Sequence, residues 1–144
     1  MTVPLFALIA ATLFAGVALY ISLVEHPVRL QLDNVAMLAQ WQPSYKAALP
    51  IQSGLAILGG VLGLVAWYQI QDWFWLAGSI VLLANWPFTL LAIMPTNKRL
   101  MALSTAAASA ESRTLLHQWG KLHAVRSGLG SVAAAIFTWV ILMA

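Results

Sequence analysis

The sequence predicts an all-α protein, an integral membrane up-down four-helix bundle. Composition is the first reason, because only 8% of the 144 residues are charged and 62% are hydrophobic. A water-soluble domain carries about 25% charged residues, so a soluble globule is excluded. The second reason is that four apolar segments are each long enough to cross a bilayer. There is no cysteine, which excludes disulfides and thiolate metal sites.

The four predicted spans cover about residues 3–24, 49–70, 73–94 and 124–143. Pro50 suits the first turn of the second span, where its missing N–H costs nothing. We expect Pro87 to bend or loosen the third span near residues 83–87, and Pro95 to end it. Without any linker or sequence repeat, residues 1–144 are predicted to form a single transmembrane domain.

The connections between the spans predict how the bundle is oriented. Only Gln71 and Asp72 separate the second and third spans, whereas about residues 25–48 and 95–123 form two long connections on one face of the membrane. The basic residues of these connections are Arg29, Lys46, Lys98, Arg99, Arg113 and Lys121. By the positive-inside rule the long connections are cytoplasmic and both termini are non-cytoplasmic. We expect short interfacial helices or helical extensions within them, and this placement explains the net charge of +3 without nucleic acid.

Polar residues gather at the cytoplasmic ends of all four spans. They are Glu25 and His26 in the first, Tyr45 and Gln52 in the second, Asn85, Thr89 and Asn97 in the third, and Trp119, His123 and Arg126 in the fourth. The spacings within the third and fourth spans place their members on one helix face. Polar groups at membrane depth are costly unless they face the bundle interior or a wet cavity. The convergence of the clusters therefore predicts a polar pocket.

Each member also has a purely structural interpretation. The Arg126 side chain can extend to lipid phosphates, or it can form an ion pair with Glu25. Asn85 can join helices or bond the backbone that Pro87 frees. A single interfacial histidine such as His123 is more often packed than reactive. The prediction of a site thus depends on the group of clusters rather than on any one residue.

Several motifs resemble the anthrone oxygenase-like family of small four-span membrane proteins. They are E-H-P-V-R at residues 25–29, N-W-P-F-T at 85–89, P-T-N-K-R-L at 95–100 and W-G-K-L-H-A-V-R at 119–126. Some fungal members of that family oxidise anthrones to anthraquinones with molecular oxygen and without a classical flavin or haem. The resemblance implies the four-span fold and an oxygenase-like enzyme that acts on a flat aromatic or quinone-type hydrophobic substrate.

The family chemistry suggests roles for the polar residues. Histidine titrates near neutral pH and is the usual general base, so we assign His123 as the base that removes an acidic ring proton. Arg126 would stabilise the resulting enolate, with Glu25 and His26 as a second acid/base pair. The predicted substrate contacts are Tyr45, Gln52, Asn85, Trp86, Thr89, Asn97 and Trp119, of which the aromatic residues would stack on a flat ring.

Two other functions remain open at the level of sequence. His26, His123 and Glu25 offer nitrogen and oxygen ligands for a copper, iron or zinc ion. Copper or iron would make the chain a metal-dependent membrane oxidoreductase. The same pocket would also suit a non-catalytic lipid- or quinone-binding membrane subunit. The expected partners are the lipid bilayer and a hydrophobic small molecule, and a homo-oligomer is compatible with the sequence.

Overall fold

A computed structural model describes residues 2–144, which form four long helices and no β-strand. The helices are α1 (Thr2–Arg29), α2 (Asn34–Ile70), α3 (Trp73–Ala102) and α4 (Ala110–Met143), and a 3₁₀ turn at Thr105–Ala107 lies between the last two. All four are long and apolar enough to cross a membrane. The structure therefore confirms the all-α class and supports a multi-pass membrane protein.

The helices form a closed ring in which neighbours in sequence are also neighbours in space. The α1 helix packs against α2 and α4, and α3 packs against the same two helices from the other side. Short connections at residues 30–33, 71–72 and 103–109 join consecutive helices. This is the topology of an up-down bundle.

Side-chain caps fix where three of the helices begin. The Asp33 carboxylate accepts the Ala36 N–H at 2.9 Å, and the Asp72 carboxylate accepts the Phe74 N–H at 2.9 Å. Ser109 and Ser112 form a reciprocal capping box at the start of α4. These side chains bond the free N–H groups of the first turn, and the two carboxylates also favour the positive end of the helix dipole.

The helices extend well beyond the predicted spans at the end of the bundle that contains residues 30–33 and 103–109, the connection end. Most of residues 25–48 and 95–123 continue the helices α1 to α4, and no separate interfacial helix occurs in these segments of the described chain. Of the two predicted possibilities, the helical extensions are the one that is observed. At 37 residues, α2 is about 55 Å long. A hydrocarbon core is about 30 Å thick, so α2 must extend beyond any bilayer that the bundle crosses.

Prolines shape α1 and α3 without ending them. The expected disruption near Pro87 is present, because Ala84 interrupts the α-helical runs Trp73–Leu83 and Asn85–Phe88. The prediction that Pro95 ends the span is wrong, since α3 continues to Ala102. The first-turn position predicted for Pro50 is wrong as well, because Pro50 lies inside α2, which begins at Asn34. A π-helical turn at Thr89–Ile93 comes just before Pro95, as another at Ile21–Glu25 comes just before Pro27. These wider turns accommodate a residue that has no N–H to donate.

Buried hydrophobic residues form two clusters along the bundle. Near the termini the cluster includes Phe14, Trp75 and Phe137. Near the connection end the cluster includes Trp41 and Trp119. The predicted polar residues lie at this second end and along the boundary between the two clusters.

Candidate functional site

Two adjoining cavities lie at the connection end of the bundle. The inner cavity is lined by all four helices and has a volume of about 20 Å³, room for one or two water molecules. The lateral cavity lies between α2 and α3 and has a volume of about 120 Å³. Leu49 and Arg126 line both cavities, so their side chains form part of the wall between them.

Arg126 is buried without a counter-ion. Its side chain is 7% exposed, and its guanidinium carbon lies 5.7 Å from the centre of the Phe14 ring. The salt bridges among residues 2–144 are Glu25–Arg29 and Arg99–Glu111, so Arg126 is not paired with Glu25. The Nε of Arg126 has no hydrogen-bond partner in this part of the chain. The side chain does not extend to the surface, and an unpaired buried charge is costly.

His123 is buried beside Arg126 on the wall of the inner cavity. Its Nδ1 lies 3.0 Å from the Ser22 hydroxyl. The Trp119 ring stacks on the imidazole, with centroids 4.9 Å apart and planes inclined by 25°. The Nε2 atom makes no hydrogen bond among the described residues, so one ring nitrogen is left free for another partner.

Two aromatic residues and two amides complete the inner cavity. Trp41 and Tyr45 stack at 4.9 Å with nearly parallel rings. Asn97 donates to the Tyr45 hydroxyl at 3.2 Å, whereas its side-chain oxygen has no partner. The Gln52 side-chain oxygen is likewise buried and unpartnered. The wall therefore presents hydrogen-bond acceptors beside a flat aromatic surface.

The lateral cavity contains the rest of the predicted substrate contacts. Asn85 is buried and donates to the Leu82 carbonyl at 2.9 Å, which leaves its own oxygen without a partner. The Thr89 hydroxyl is buried and unpartnered as well. Trp86 is 38% exposed and its indole N–H donates to the Ser53 carbonyl at 3.4 Å. This cavity therefore lies close to the outer surface between α2 and α3.

Unpartnered polar atoms concentrate at the two cavities. Seven buried side-chain nitrogen or oxygen atoms have no hydrogen-bond partner in residues 2–144. Six belong to cavity-lining residues, namely Trp41, Gln52, Asn85, Thr89, Asn97 and Arg126. Such atoms are rare in native proteins, and their clustering indicates a place where water or a ligand supplies the missing partners.

Glu25 and His26 lie outside both cavities, in a network that joins α1 to α2 and α4. The Glu25 carboxylate accepts from Arg29 at 2.6 Å, from Gln40 at 3.1 Å and from Ser44. His26 Nε2 donates to the Leu116 carbonyl at 2.9 Å, and its Nδ1 accepts from Arg29 at 2.8 Å. Both ring nitrogens of His26 are thus engaged in hydrogen bonds.

Sequence comparison identifies the family. The sequence pattern described as anthrone oxygenase matches residues 41–136. An anthrone oxygenase from Cryptosporiopsis sp. (strain 8999) is 31% identical, over 85% of this chain and 75% of the relative. The chain belongs to the anthrone oxygenase family. No solved structure gives a significant match.

Membership of the anthrone oxygenase family indicates an oxygenase-type function. The matched region contains His123 and Arg126, together with every predicted substrate contact. Glu25 and His26 precede it, as they also lie apart from the cavities.

The predicted metal ligands do not come together. No group of three or more His, Asp or Glu side chains in the described chain could hold a metal ion. His26 would have to break one of its two hydrogen bonds to bind one.

Several residues of the site were not predicted. Arg29 was assigned to a basic cytoplasmic connection, yet it is 2% exposed and contacts Glu25, His26 and Gln40. Its i, i+4 spacing from Glu25 is the signal that could have identified it. Ser22 lies among apolar residues that gave no such signal.

Proposed function

We propose that this chain is a membrane-embedded oxygenase that oxidises a flat, hydroxylated aromatic substrate of the anthrone type with molecular oxygen. The observation that carries the proposal is Arg126, a buried cation without a counter-ion on the wall between two cavities. An anionic intermediate would supply the missing charge, and in a dry site that attraction is much stronger than in water.

The chemistry begins with removal of a proton from carbon. An anthrone carries a CH₂ group opposite its carbonyl, and loss of one proton gives an enolate spread over the ring system. In the proposal the free Nε2 of His123 takes this proton, and the Arg126 guanidinium holds the enolate oxygen. Both side chains line the inner cavity, where the reacting edge of the substrate would lie.

The remaining steps need no external reductant. The electron-rich enolate reduces O₂, and a C–O bond forms at the former CH₂ carbon. Protonation of the resulting peroxide gives a hydroperoxide. Cleavage of the O–O bond with loss of the second C–H proton leaves a carbonyl and releases water. One oxygen atom enters the quinone and the other leaves in water, so the substrate itself supplies all the electrons. His123 returns its proton during the sequence and is ready for the next turnover.

The residues that line the lateral cavity are of the kinds that would bind the body of such a substrate. Trp86 and Leu90 on its wall are 38% and 52% exposed on the outer face of the bundle, so a hydrophobic ring system would enter from the bilayer. The unpartnered oxygen of Asn85 and the hydroxyl of Thr89 would bond phenolic groups. Polar atoms at fixed positions in an apolar pocket are the usual basis of specificity.

Substrate binding in this proposal requires the cavities to join. At about 20 and 120 Å³, neither is large enough for three fused rings. Leu49 lines both cavities from α2, so displacement of its side chain would connect them. The rings would then extend from the lateral cavity past Arg126, with the CH₂ group near His123.

The direct test is turnover of a dihydroxyanthrone by the purified protein in lipid nanodiscs. Quinone absorbance and oxygen uptake are measured against the spontaneous oxidation rate, and ¹⁸O₂ should place one labelled atom in the new carbonyl. Arg126→Met should lose activity, whereas Arg99→Met should retain it because Arg99 lies in an exposed ion pair with Glu111. Substrate binding without turnover above the spontaneous rate would favour the non-catalytic binding subunit instead.

A further inference from the structure

We infer that Ser22 and Ser127 are positioning residues that hold His123 in a single tautomer, with its Nε2 lone pair free. The inference deepens the proposed function and rests on His123 acting as its base. The contacts form a chain across α1 and α4: His123 Nδ1 to Ser22 Oγ at 3.0 Å, Ser22 Oγ to Ser127 Oγ at 2.7 Å, and Ser127 Oγ to the Ala18 carbonyl at 2.9 Å.

The direction of this chain follows from its last acceptor. A carbonyl oxygen cannot donate, so the single hydroxyl hydrogen of Ser127 is used on Ala18. The Ser22 hydroxyl must then donate to Ser127, and it can only accept from His123. If all three contacts are hydrogen bonds, Nδ1 carries a hydrogen. In the neutral imidazole this is the only ring N–H, so Nε2 carries none. The His123 carbonyl, 3.3 Å from Ser127 Oγ, is also only an acceptor and leaves this assignment unchanged.

The two serines come from different helices but are well placed to act together. Ser127 is one turn after His123 in α4 and is buried. Ser22 lies in the π-helical turn Ile21–Glu25 of α1, and Ala18 is one turn before it. With Trp119 stacked on the imidazole, the hydrogen-bond chain fixes both the ring plane and the tautomer.

A neutral hydroxyl chain has a different effect from a carboxylate. In serine proteases an aspartate orients the histidine and also stabilises its protonated form. Here Ser22 orients the ring without adding negative charge, and the nearest charged partner on the same helix face is the Arg126 cation. Protonated His123 is therefore not stabilised by an ion pair. That suits a base which takes a proton from an already acidic carbon and must give it back.

The test is the tautomer itself, observed by ¹⁵N NMR of histidine-labelled protein in micelles or nanodiscs. The chain has three histidines, so His123→Gln assigns the signal by its loss. In the unmodified protein Nδ1 should be protonated and Nε2 unprotonated. Ser22→Ala should shift His123 toward the other tautomer and lower kcat roughly 10-fold or more with little change in KM. Ser22→Thr should keep the tautomer and the kcat of the unmodified protein, because threonine retains the hydroxyl.

A matched control is Ser131→Ala. Ser131 donates to the Ser127 carbonyl at 2.8 Å and makes no hydrogen bond to Ser22 or His123 within residues 2–144, so the tautomer and kcat should be unchanged. A protonated Nε2 in the unmodified protein would overturn the inference whatever the activity. A tautomer shift in Ser22→Ala with full turnover would overturn the positioning role. If the tautomers behave as stated but no variant has turnover, the proposed function fails and the hydrogen assignment stands.

Discussion

Two arginines are buried at the connection end of the bundle, and they differ in their partners. Arg29 donates to Glu25, His26 and Gln40. Arg126 makes no such contact in the described chain and faces two cavities. Arg29 therefore stabilises the fold, whereas the guanidinium of Arg126 is available to a ligand.

Replacing each arginine separates these roles. Arg29→Met should destabilise the protein by about 1–3 kcal/mol, because it leaves the half-buried Glu25 carboxylate without its cation and the buried His26 without its donor. Arg126→Met should retain or increase the stability and abolish turnover, since it removes an unpaired charge. Arg126→Lys keeps the charge but loses the planar fork, so turnover should also fall. Thermal unfolding in detergent and quinone formation are the measurements. A large loss of stability in Arg126→Met would show that Arg126 has a structural partner.

The two buried histidines offer a parallel comparison. His26→Gln should lower the free energy of unfolding by about 1–3 kcal/mol, because the Leu116 carbonyl or the Arg29 guanidinium loses a buried partner. Its folded fraction should still turn over substrate. His123→Gln should lose turnover with stability within about 1 kcal/mol of the unmodified protein. The comparison needs unfolding curves and activity at a temperature where both variants are folded. Stability loss in His123→Gln before any loss of activity would contradict the base role.

At the scale of the helices, the sequence predicts helix boundaries best where a change in hydropathy marks them. The break at residues 71–72 was placed correctly, because Asp72 interrupts a continuous apolar run. For the outer parts of α2 and α4 the sequence predicts either helical extensions or separate interfacial helices, and hydropathy does not decide between the two because residues 34–48 and 110–123 are mixed in polarity. Helix formation there comes from packing of residues such as Met37 and Leu116, which a hydropathy profile does not report.

The candidate site was predicted only in part, for a reason that also lies in the helices. The spacing of His123 and Arg126 along α4 was sufficient to place both on one buried face. Ser22 was missed because its role depends on how α1 is turned toward α4. The π-helical turn Ile21–Glu25 changes that orientation relative to a regular helix, so a period of 3.6 residues cannot predict it.

Close helix contact gives a prediction at this scale. A Cβ added at Gly130 would lie 2.5 Å from the Phe14 ring and 3.4 Å from the Ala15 backbone, whereas one at Gly128 would meet nothing within 4 Å. Gly130→Ala should therefore destabilise the bundle by about 1–3 kcal/mol. Gly128→Ala should be neutral or stabilising by up to about 1 kcal/mol, because alanine favours the helix. Both are read from thermal unfolding in detergent, and equal stability of the two variants would contradict the α1–α4 packing.

At the scale of the molecule, charge is distributed unevenly along the bundle. Basic residues occur at and near the end formed by residues 30–33 and 103–109, including Lys46, Lys98 and Arg113. Arg113 also holds that end together, since it donates to Asn34 at 2.7 Å and to the Leu30 carbonyl at 2.8 Å. The opposite end contains Asp72, together with Thr2 and Ala144 of the described chain.

This asymmetry predicts the orientation in the membrane. A single cysteine at position 72 should react with an impermeant maleimide added from the non-cytoplasmic side of intact cells. A cysteine at position 98 should react only after the membrane is breached. The chain has no cysteine of its own, so the unmodified protein is a clean control. The opposite pattern of labelling would contradict the prediction that both termini are non-cytoplasmic.

The shortness of the connections has a mechanical consequence. The three connections, at residues 30–33, 71–72 and 103–109, are too short to fold over the cavities as a lid. In the proposal a large substrate therefore enters when helices or cavity-lining side chains move apart. Such separation displaces lipid as well as protein. We therefore expect the rate of entry between α2 and α3 to depend on acyl-chain order and lateral pressure, and to fall in a stiff, thick bilayer even when the chemical step is unaffected.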